Sequence, residues 1–223
     1  RDPLSLQPFF LTCQECLLEV DGFLRQFLVD DKGCVLIAMW GVPQFTFPNN
    51  GSRAIHFSRI LMNRIQNELS MQCSIGVTTG NVYCGTIGSI IRRDYVAIGH
   101  TVNLSARLMG KAKGRIMVDE STYHLLPSTV KSTLQPGEEL QLKGTSGVTK
   151  PYVASFLDVD VGEGFDLMGE DDVGLEEPLI KPDIAELLRS RLDDMEKEAT
   201  SAAGAGFMVN LGRADMPSSS RVP

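Results

Sequence analysis

The chain lacks any apolar run near the roughly 20 residues that a membrane-spanning helix needs. Its longest strongly apolar stretch runs only from Val35 to Val42, and it does not open with the charged-then-apolar pattern of a signal peptide. The expectation is a soluble, cytoplasmic protein with no membrane span. Histidine is scarce, and His56, His100 and His124 lack the spacing of metal ligands, so none is assigned chemistry. Five cysteines are an odd number, which speaks against a complete disulfide framework and for reduced core thiols. Cys13 and Cys16 form a CxxC, but no second pair follows at zinc-site spacing; three apart on a helix, they share one buried face. Lysine and arginine are scattered rather than grouped with aromatics, which argues against nucleic acid as a partner.

What is present is an ordinary apolar content, 43% of 223 residues, enough for one well-buried domain and an appendage. The net charge of −7 hides an uneven division. Residues 1–156 hold 15 Lys+Arg against 12 Asp+Glu, whereas residues 157–223 hold 6 against 16. A slightly basic body therefore carries an acidic tail.

Within the body, Phe9, Phe10, Cys13, Cys16, Leu17 and Leu18 recur at spacings of three and four, which predicts a helix over Leu4–Leu18. Phe23–Val29 and Cys34–Trp40 flank Asp30-Asp31-Lys32-Gly33 and predict a hairpin with Lys32 at its tip. Two prolines, two asparagines and two glycines make residues 41–51 a loop before a helix near Ser52–Ser70. Gln72–Val77 and Val82–Cys84 read as a second strand pair turning around Thr79-Gly80-Asn81. Gly76, Gly80, Gly85 and Gly88 imply close backbone approach. Tyr95–Ile98 is extended and leads through Gly99 into a helix from Thr101 to Met109, with Gly110 as its left-handed stop. Arg115–Val118, a short helix Glu120–Leu126, and strands Glu139–Leu142 and Pro151–Phe156 complete an α/β (α+β) domain with a mixed sheet.

The tail divides by composition. Residues 157–181, rich in Asp, Glu and Gly, read as an acidic linker. Ile184, Leu187, Leu188, Leu192 and Met195 then recur at helical spacing, so residues 182–199 are expected to form an amphipathic helix that docks on a protein partner. Residues 200–223, rich in Ala, Gly and Ser, are expected to be disordered.

The most informative stretch is Gly85–Arg107, GTIGSIIRRDYVAIGHTVNLSAR. Its glycines, arginine-bearing loop, tyrosine and VNxxxR, at Gly85, Gly88, Arg92, Tyr95, Gly99, Val102, Asn103 and Arg107, resemble the class III nucleotidyl cyclases. CSIGVTTGNVYCG at Cys73–Gly85 is similar to the family's preceding hairpin. DKGCVLIAMWGVP at Asp31–Pro43 resembles the second catalytic half of soluble adenylyl cyclases in particular. The likeness covers roughly residues 4–156 and implies a ferredoxin-like sheet whose first strand is missing from this chain.

The resemblance implies attack of the ATP ribose 3′-oxygen on the α-phosphorus, with pyrophosphate leaving. Independently of any family, Asn103 and Arg107 stand four apart, on one helix face about a turn from each other. By the resemblance Arg107 stabilises charge on the non-bridging oxygens and Asn103 holds the ribose. Lys32 would read adenine, where guanylyl cyclases carry an acidic residue. Val96 falls at the second base-reading position, usually Asp or Thr, yet valine cannot accept a hydrogen bond from the adenine amino group. Gly99 precedes the helix on the substrate-binding side, and Lys143 in LKGTSG lies where the family places lysines near the phosphates.

The family also holds two magnesium or manganese ions on a pair of aspartates. Here the first belongs to the missing strand, and Cys34 stands at the second position after Gly33, while Asp30 and Asp31 read as turn formers. The implied partner is therefore a second cyclase domain, in the same longer chain or another subunit, that holds the ions while this chain supplies the base-reading lysine, Asn103 and Arg107. The alternative is an inactive pseudo-cyclase serving as a scaffold. The same resemblance raises cilium or flagellum as a location.

Overall fold

The structure, a computed structural model, describes residues 6–30, 33–142 and 147–154, with Asp30 described by its backbone alone, and the backbone of residues 203–212. Lys32, Lys143, the acidic linker and the expected helix at 182–199 lie outside the described residues.

Helix α1 (Leu6–Glu19) buries Phe9, Cys13, Cys16 and Leu17, the face its spacing predicted. It leads into the antiparallel hairpin β1 (Phe23–Asp30) and β2 (Gly33–Trp40). The indole Nε1–H of Trp40 donates to the Val20 carbonyl at 3.0 Å, which locks the end of α1 to the end of β2. Helix α2 (Asn50–Leu69) lies beside α1, with Ala54, Ile55, Phe57, Leu61 and Ile65 inside, and stops where Ser70 turns left-handed at φ 51°. No disulfide joins the cysteines; Cys13, Cys16, Cys34 and Cys73 are core thiols under these helices.

The chain then departs from the expected turn at Gly80. Ser74–Gly88 is one continuous strand, β3, and the hairpin forms further on, where β4 (Arg93–Ile98) folds back against it. Gly80 serves the close backbone approach also expected of it, not a turn. Helix α3 (His100–Ala112) lies so close to β3 that a Cβ at Gly80 would sit 2.3 Å from Thr101 Oγ1, and one at Gly76 would sit 2.2 Å from the Ser105 carbonyl oxygen. Close approach, not a turn, demands the missing side chains. Nor does α3 stop at Gly110. It continues to Ala112, and the left-handed positions are Lys113 and Gly114, at φ 50° and 79°.

Strand β5 (Ile116–Val118) runs parallel to β3, which makes the sheet mixed, as expected. Helices α4 (Glu120–Leu125) and α5 (Ser128–Lys131) follow, then β6 (Leu134–Pro136). The strand expected at 139–142 does not close the main sheet: β7 (Leu140–Gln141) pairs with β8 (Val148–Thr149) in a separate ladder. Only β9 (Tyr152–Ala154) joins the main sheet, between β5 and β6.

The second departure concerns the tail. Residues 203–212, expected to be disordered, form strand β10, which lies between β2 and β3 and pairs antiparallel with both. The sheet order is β1-β2-β10-β3-β5-β9-β6, with β4 attached to β3. The Ala-Gly-Ser composition signalled disorder, but a strand paired on both sides draws its stability from neighbours far away in sequence.

Two consequences can be measured by urea denaturation. Gly76→Ala, which drives a methyl against helix backbone, is expected to cost about 1–3 kcal/mol. Gly110→Ala, in open space on an exposed helix turn, is expected to gain about 0.5–1 kcal/mol. Equal effects at the two sites would contradict the close seating of α3. Asp119, whose Oδ1 accepts the Thr122 N–H at 2.9 Å at the start of α4, is a cap of ordinary kind. Its removal in Asp119→Ala should cost about 1 kcal/mol, and Asp119→Asn, which keeps an acceptor, should cost less.

Candidate active site

The face of α3 that meets β3 carries Thr101, Ser105, Leu108 and Ala112, all buried. Thr78 Oγ1 donates to the Thr101 carbonyl at 3.0 Å, anchoring the first turn to the strand. With that face committed, Asn103 is left exposed and Arg107 half-buried, one turn apart. The Nη1 of Arg107 is enclosed and makes no hydrogen bond. An enclosed guanidinium N–H without an acceptor costs on the order of 1–3 kcal/mol, so an anion placed there would be bound favourably.

Gly99 joins β4 to α3 in extended conformation, φ 173°, which any residue can adopt. Glycine is needed there because a Cβ would lie 3.0 Å from the Asn81 carbonyl oxygen and 3.4 Å from the Val82 Cα. Val96, Gly99, Asn103 and Arg107 thus lie on one continuous strand–helix unit pinned to β3. Lys32 and Lys143 lie outside the described residues.

Val96 pairs with Gly85 across the β3–β4 ladder, and its neighbours Tyr83 and Ile98 also pair with each other. Tyr83 is 58% and Ile98 56% exposed, and at the tip of this two-stranded arm Ile90 and Ile91 reach 93% and 92%. These exposed apolar side chains share the arm with the exposed Arg92–Asp94 ion pair. Beneath the arm, Cys84, Tyr95, Ala97 and Val102 pack with Met39, Val42, Phe45 and Val82.

Sequence reasoning passed over Arg25. It is the extra residue of a bulge in β1, between Leu24 and Gln26, and its enclosed Nε has no hydrogen-bond partner. Burial pushes the Cys84 thiol and the Tyr95 phenol up, and the charge of Arg25 opposes that rise at both. The available signal was an arginine and a glutamine interrupting a run of apolar residues, FLRQFLV.

Magnesium prefers oxygen ligands and retains water. At the position expected for the second metal aspartate, Cys34 is 3% exposed and belongs to the core cluster beneath α1 and α2. Burial and the neighbouring thiols push Cys13 well above the ordinary thiol range, which shows how apolar this environment is. The residues present do not fit a hydrated magnesium ion. A shallow depression of about 180 Å³ near the end of α3 is lined by Met62, Gln66, Met71, Gln72, Cys73, Lys113 and Gly114, and contains none of the sequence-predicted site residues.

The Tyr95 phenol is pushed up to about 12, mainly by burial and further by the Cys84 thiol, with Arg25 opposing. A raised phenol pKa means that the fold favours the neutral form. The stability tied to it is present below the unfolded value, about 10, and is lost as pH rises towards 12. An absorbance titration should therefore show a phenol ionising near 12 that vanishes in Tyr95→Phe; a first ionisation of Tyr95 at or below 10 would refute the burial.

Residues 51–155 match the family described as the adenylate and guanylate cyclase catalytic domain. Among curated proteins the chain is similar to adenylate cyclase type 10 of Homo sapiens, 29% identical over 121 residues, which cover 54% of this chain and 8% of that protein. The matched stretch thus spans less than a tenth of that relative. Among solved structures it is similar to the guanylate cyclase domain of RhGC from Catenaria anguillulae in complex with GTP, at 21% identity and TM-score 0.59, covering 68% of this chain and 81% of that one. It is similar as well to the adenylyl cyclase CyaB from P. aeruginosa, at 22% identity and TM-score 0.58, covering 68% and 80%. One neighbour is a guanylate and the other an adenylyl cyclase, so the likeness carries the fold and leaves the base to the residues.

Proposed function

We propose that this chain, whose residues 51–155 match the adenylate and guanylate cyclase catalytic-domain family, is the complementary half of an adenylyl cyclase, converting ATP to cyclic AMP and pyrophosphate when paired with a metal-binding cyclase half. The observation that carries the proposal is Arg107, whose enclosed Nη1 has no acceptor, one helical turn from the exposed Asn103. The bond that forms joins the ribose 3′-oxygen, which releases its proton to solvent water, to the α-phosphorus. The bond that breaks joins the α-phosphorus to the oxygen bridging to the β-phosphorus, and pyrophosphate departs with it. Negative charge grows on the non-bridging oxygens, and a fixed guanidinium opposes it without reorganising. Asn103 would orient the ribose through its amide, Lys32 would read the adenine ring, and Lys143 would approach the phosphates.

Pairing is supported by the apolar arm, since Ile90 and Ile91 at its tip are more than nine-tenths exposed. The magnesium or manganese ions of the reaction then fall to the partner half, because Cys34 is buried where a carboxylate would be needed. A cytoplasmic location fits the finding that, among the described residues, no helix is long and apolar enough to cross a membrane.

One observation favours a second reading, a pseudo-cyclase scaffold: Val96 has no acceptor for the adenine amino group. The two are separated by labelled ATP turnover in the intact domain pair. Arg107→Ala is expected to lower kcat by roughly 100- to 1,000-fold, the loss typical of a charge-stabilising donor. Unchanged turnover would remove Arg107 from the site. Val96→Asp, which restores an acceptor, should raise the preference for ATP over GTP by about tenfold, the value of one good hydrogen bond. No ATP binding by the verified pair would favour the scaffold.

A further inference from the structure

Along the ladder of β3 and β4, Gly85 stands opposite Val96 and Tyr83 opposite Ile98. Directly opposed residues, and residues two apart on one strand, point to the same side of a sheet. Tyr83, Gly85, Val96 and Ile98 therefore share one side of the arm, while Cys84 and Ala97 pack into the apolar cluster on the other. The Tyr83 ring does not project straight into solvent. A Cβ at Gly85 would meet its Oη at 3.0 Å, its Cζ at 3.3 Å and its Cε1 at 3.5 Å. The phenol thus lies along β3, over the place where residue 85 has no side chain, and glycine there gives it room.

This brings the hydroxyl beside Val96. Opposed Cβ positions on an antiparallel pair are about 4.5–5.5 Å apart. With Oη 3.0 Å from the Cβ position of Gly85, the hydroxyl is no further than about 8.5 Å from the Val96 Cβ. A carboxylate at position 96 would reach about two bonds from that Cβ, and an amino group bound to it would lie about 2.9 Å beyond. Hydroxyl and amino group fall within the same few ångströms. The arm's one carboxylate, Asp94, stands opposite Ile87, nearer the tip, and its Oδ2 accepts from Arg92 Nε at 3.1 Å. Tyr83 is 58% exposed, so its hydroxyl is open to a ligand.

We propose that Tyr83 contacts the 6-position of the purine in the nucleotide site, its hydroxyl supplying the hydrogen bond that Val96 cannot. The inference rests on the cyclase reading above, which places the base at residue 96. A phenol hydroxyl both donates and accepts. It accepts from the 6-amino group of adenine and donates to the 6-oxygen of guanine. Tyr83 therefore holds either base and rejects a purine with hydrogen at that position. Ile98 and the face of the phenol ring give the base an apolar surface beside this contact. Valine at 96 then does not leave the base without a polar partner, and the choice between the two bases falls to other residues.

The test is steady-state turnover by the intact domain pair with ATP, GTP and purine riboside triphosphate, which carries hydrogen at position 6. Tyr83→Phe removes the hydroxyl and keeps the ring over Gly85. It should raise KM about five- to tenfold for ATP and for GTP, the worth of one hydrogen bond. The kcat should stay within about twofold, because the contact is equal in the ground and transition states. For the analogue, the unaltered pair and Tyr83→Phe should share one KM, since neither makes the bond. Adding Val96→Asp to Tyr83→Phe should restore ATP but not GTP, because a carboxylate accepts and does not donate. If Tyr83→Phe matches the unaltered pair with ATP and GTP, the proposal is overturned and the cyclase reading stands. An equal loss with the analogue also overturns it, since the effect is then one of packing. Asp94→Asn should leave all KM values unchanged; a loss there confined to ATP moves the contact to Asp94 and refutes Tyr83. A verified pair that neither binds nor converts any of these nucleotides sinks the cyclase reading, and this inference with it.

Discussion

The architecture depends on how close α3 lies to β3. At Gly76 and Gly80 there is no room for a side chain between helix and strand, so backbone meets side chain and backbone directly. That seating determines which face of α3 is used up. Thr101, Ser105, Leu108 and Ala112 go inward, and Asn103 and Arg107 are left on the remaining surface. A bulkier residue at either glycine would lift the helix and move both groups at once. Geometry at the candidate site is thus held by two residues that carry no chemistry.

The same strand also carries the arm. β3 extends beyond the sheet, and β4 returns along it before entering α3 through Gly99. The arm and the candidate catalytic helix are therefore one mechanical unit. If the arm docks on a second cyclase domain, as proposed, the docking would set the position of Asn103 and Arg107 relative to whatever the partner contributes. Arg107 and Arg25 each keep an enclosed guanidinium nitrogen without a hydrogen-bond partner, and Cys34 is a core thiol.

The central strand ties the sheet to the tail. Without β10, no strand pairing among the described residues would join the hairpin of β1 and β2 to the rest of the sheet. With it, α2 and α3 cover opposite faces of a continuous sheet. A segment that composition alone assigns to disorder therefore completes the sheet, which is the general risk in reading Ala-Gly-Ser stretches without their neighbours.

Periodicity in the sequence was sufficient for α1, α2, the first hairpin and the mixed sheet, because each rests on local spacing of apolar residues. The spacing of the VNxxxR stretch likewise put Asn103 and Arg107 on one helix face, because an i to i+4 relation is a property of the helix itself. The close approach expected at Gly76 and Gly80 is present, whereas the turn expected at Gly80 and the helix stop expected at Gly110 failed for a common reason. A glycine signals that a side chain is unwelcome, but only the tertiary structure tells whether the cause is a turn, a helix end or a neighbouring backbone. Arg25 was passed over because its enclosure comes from residues far along the chain, near Cys84 and Tyr95. β10 was missed because strand pairing is a long-range interaction, and its partners lie more than a hundred residues away. The sequence by itself determined which residue types were available and which helix face they share. What lies between β2 and β3, and how closely α3 approaches β3, were decided only when distant segments met.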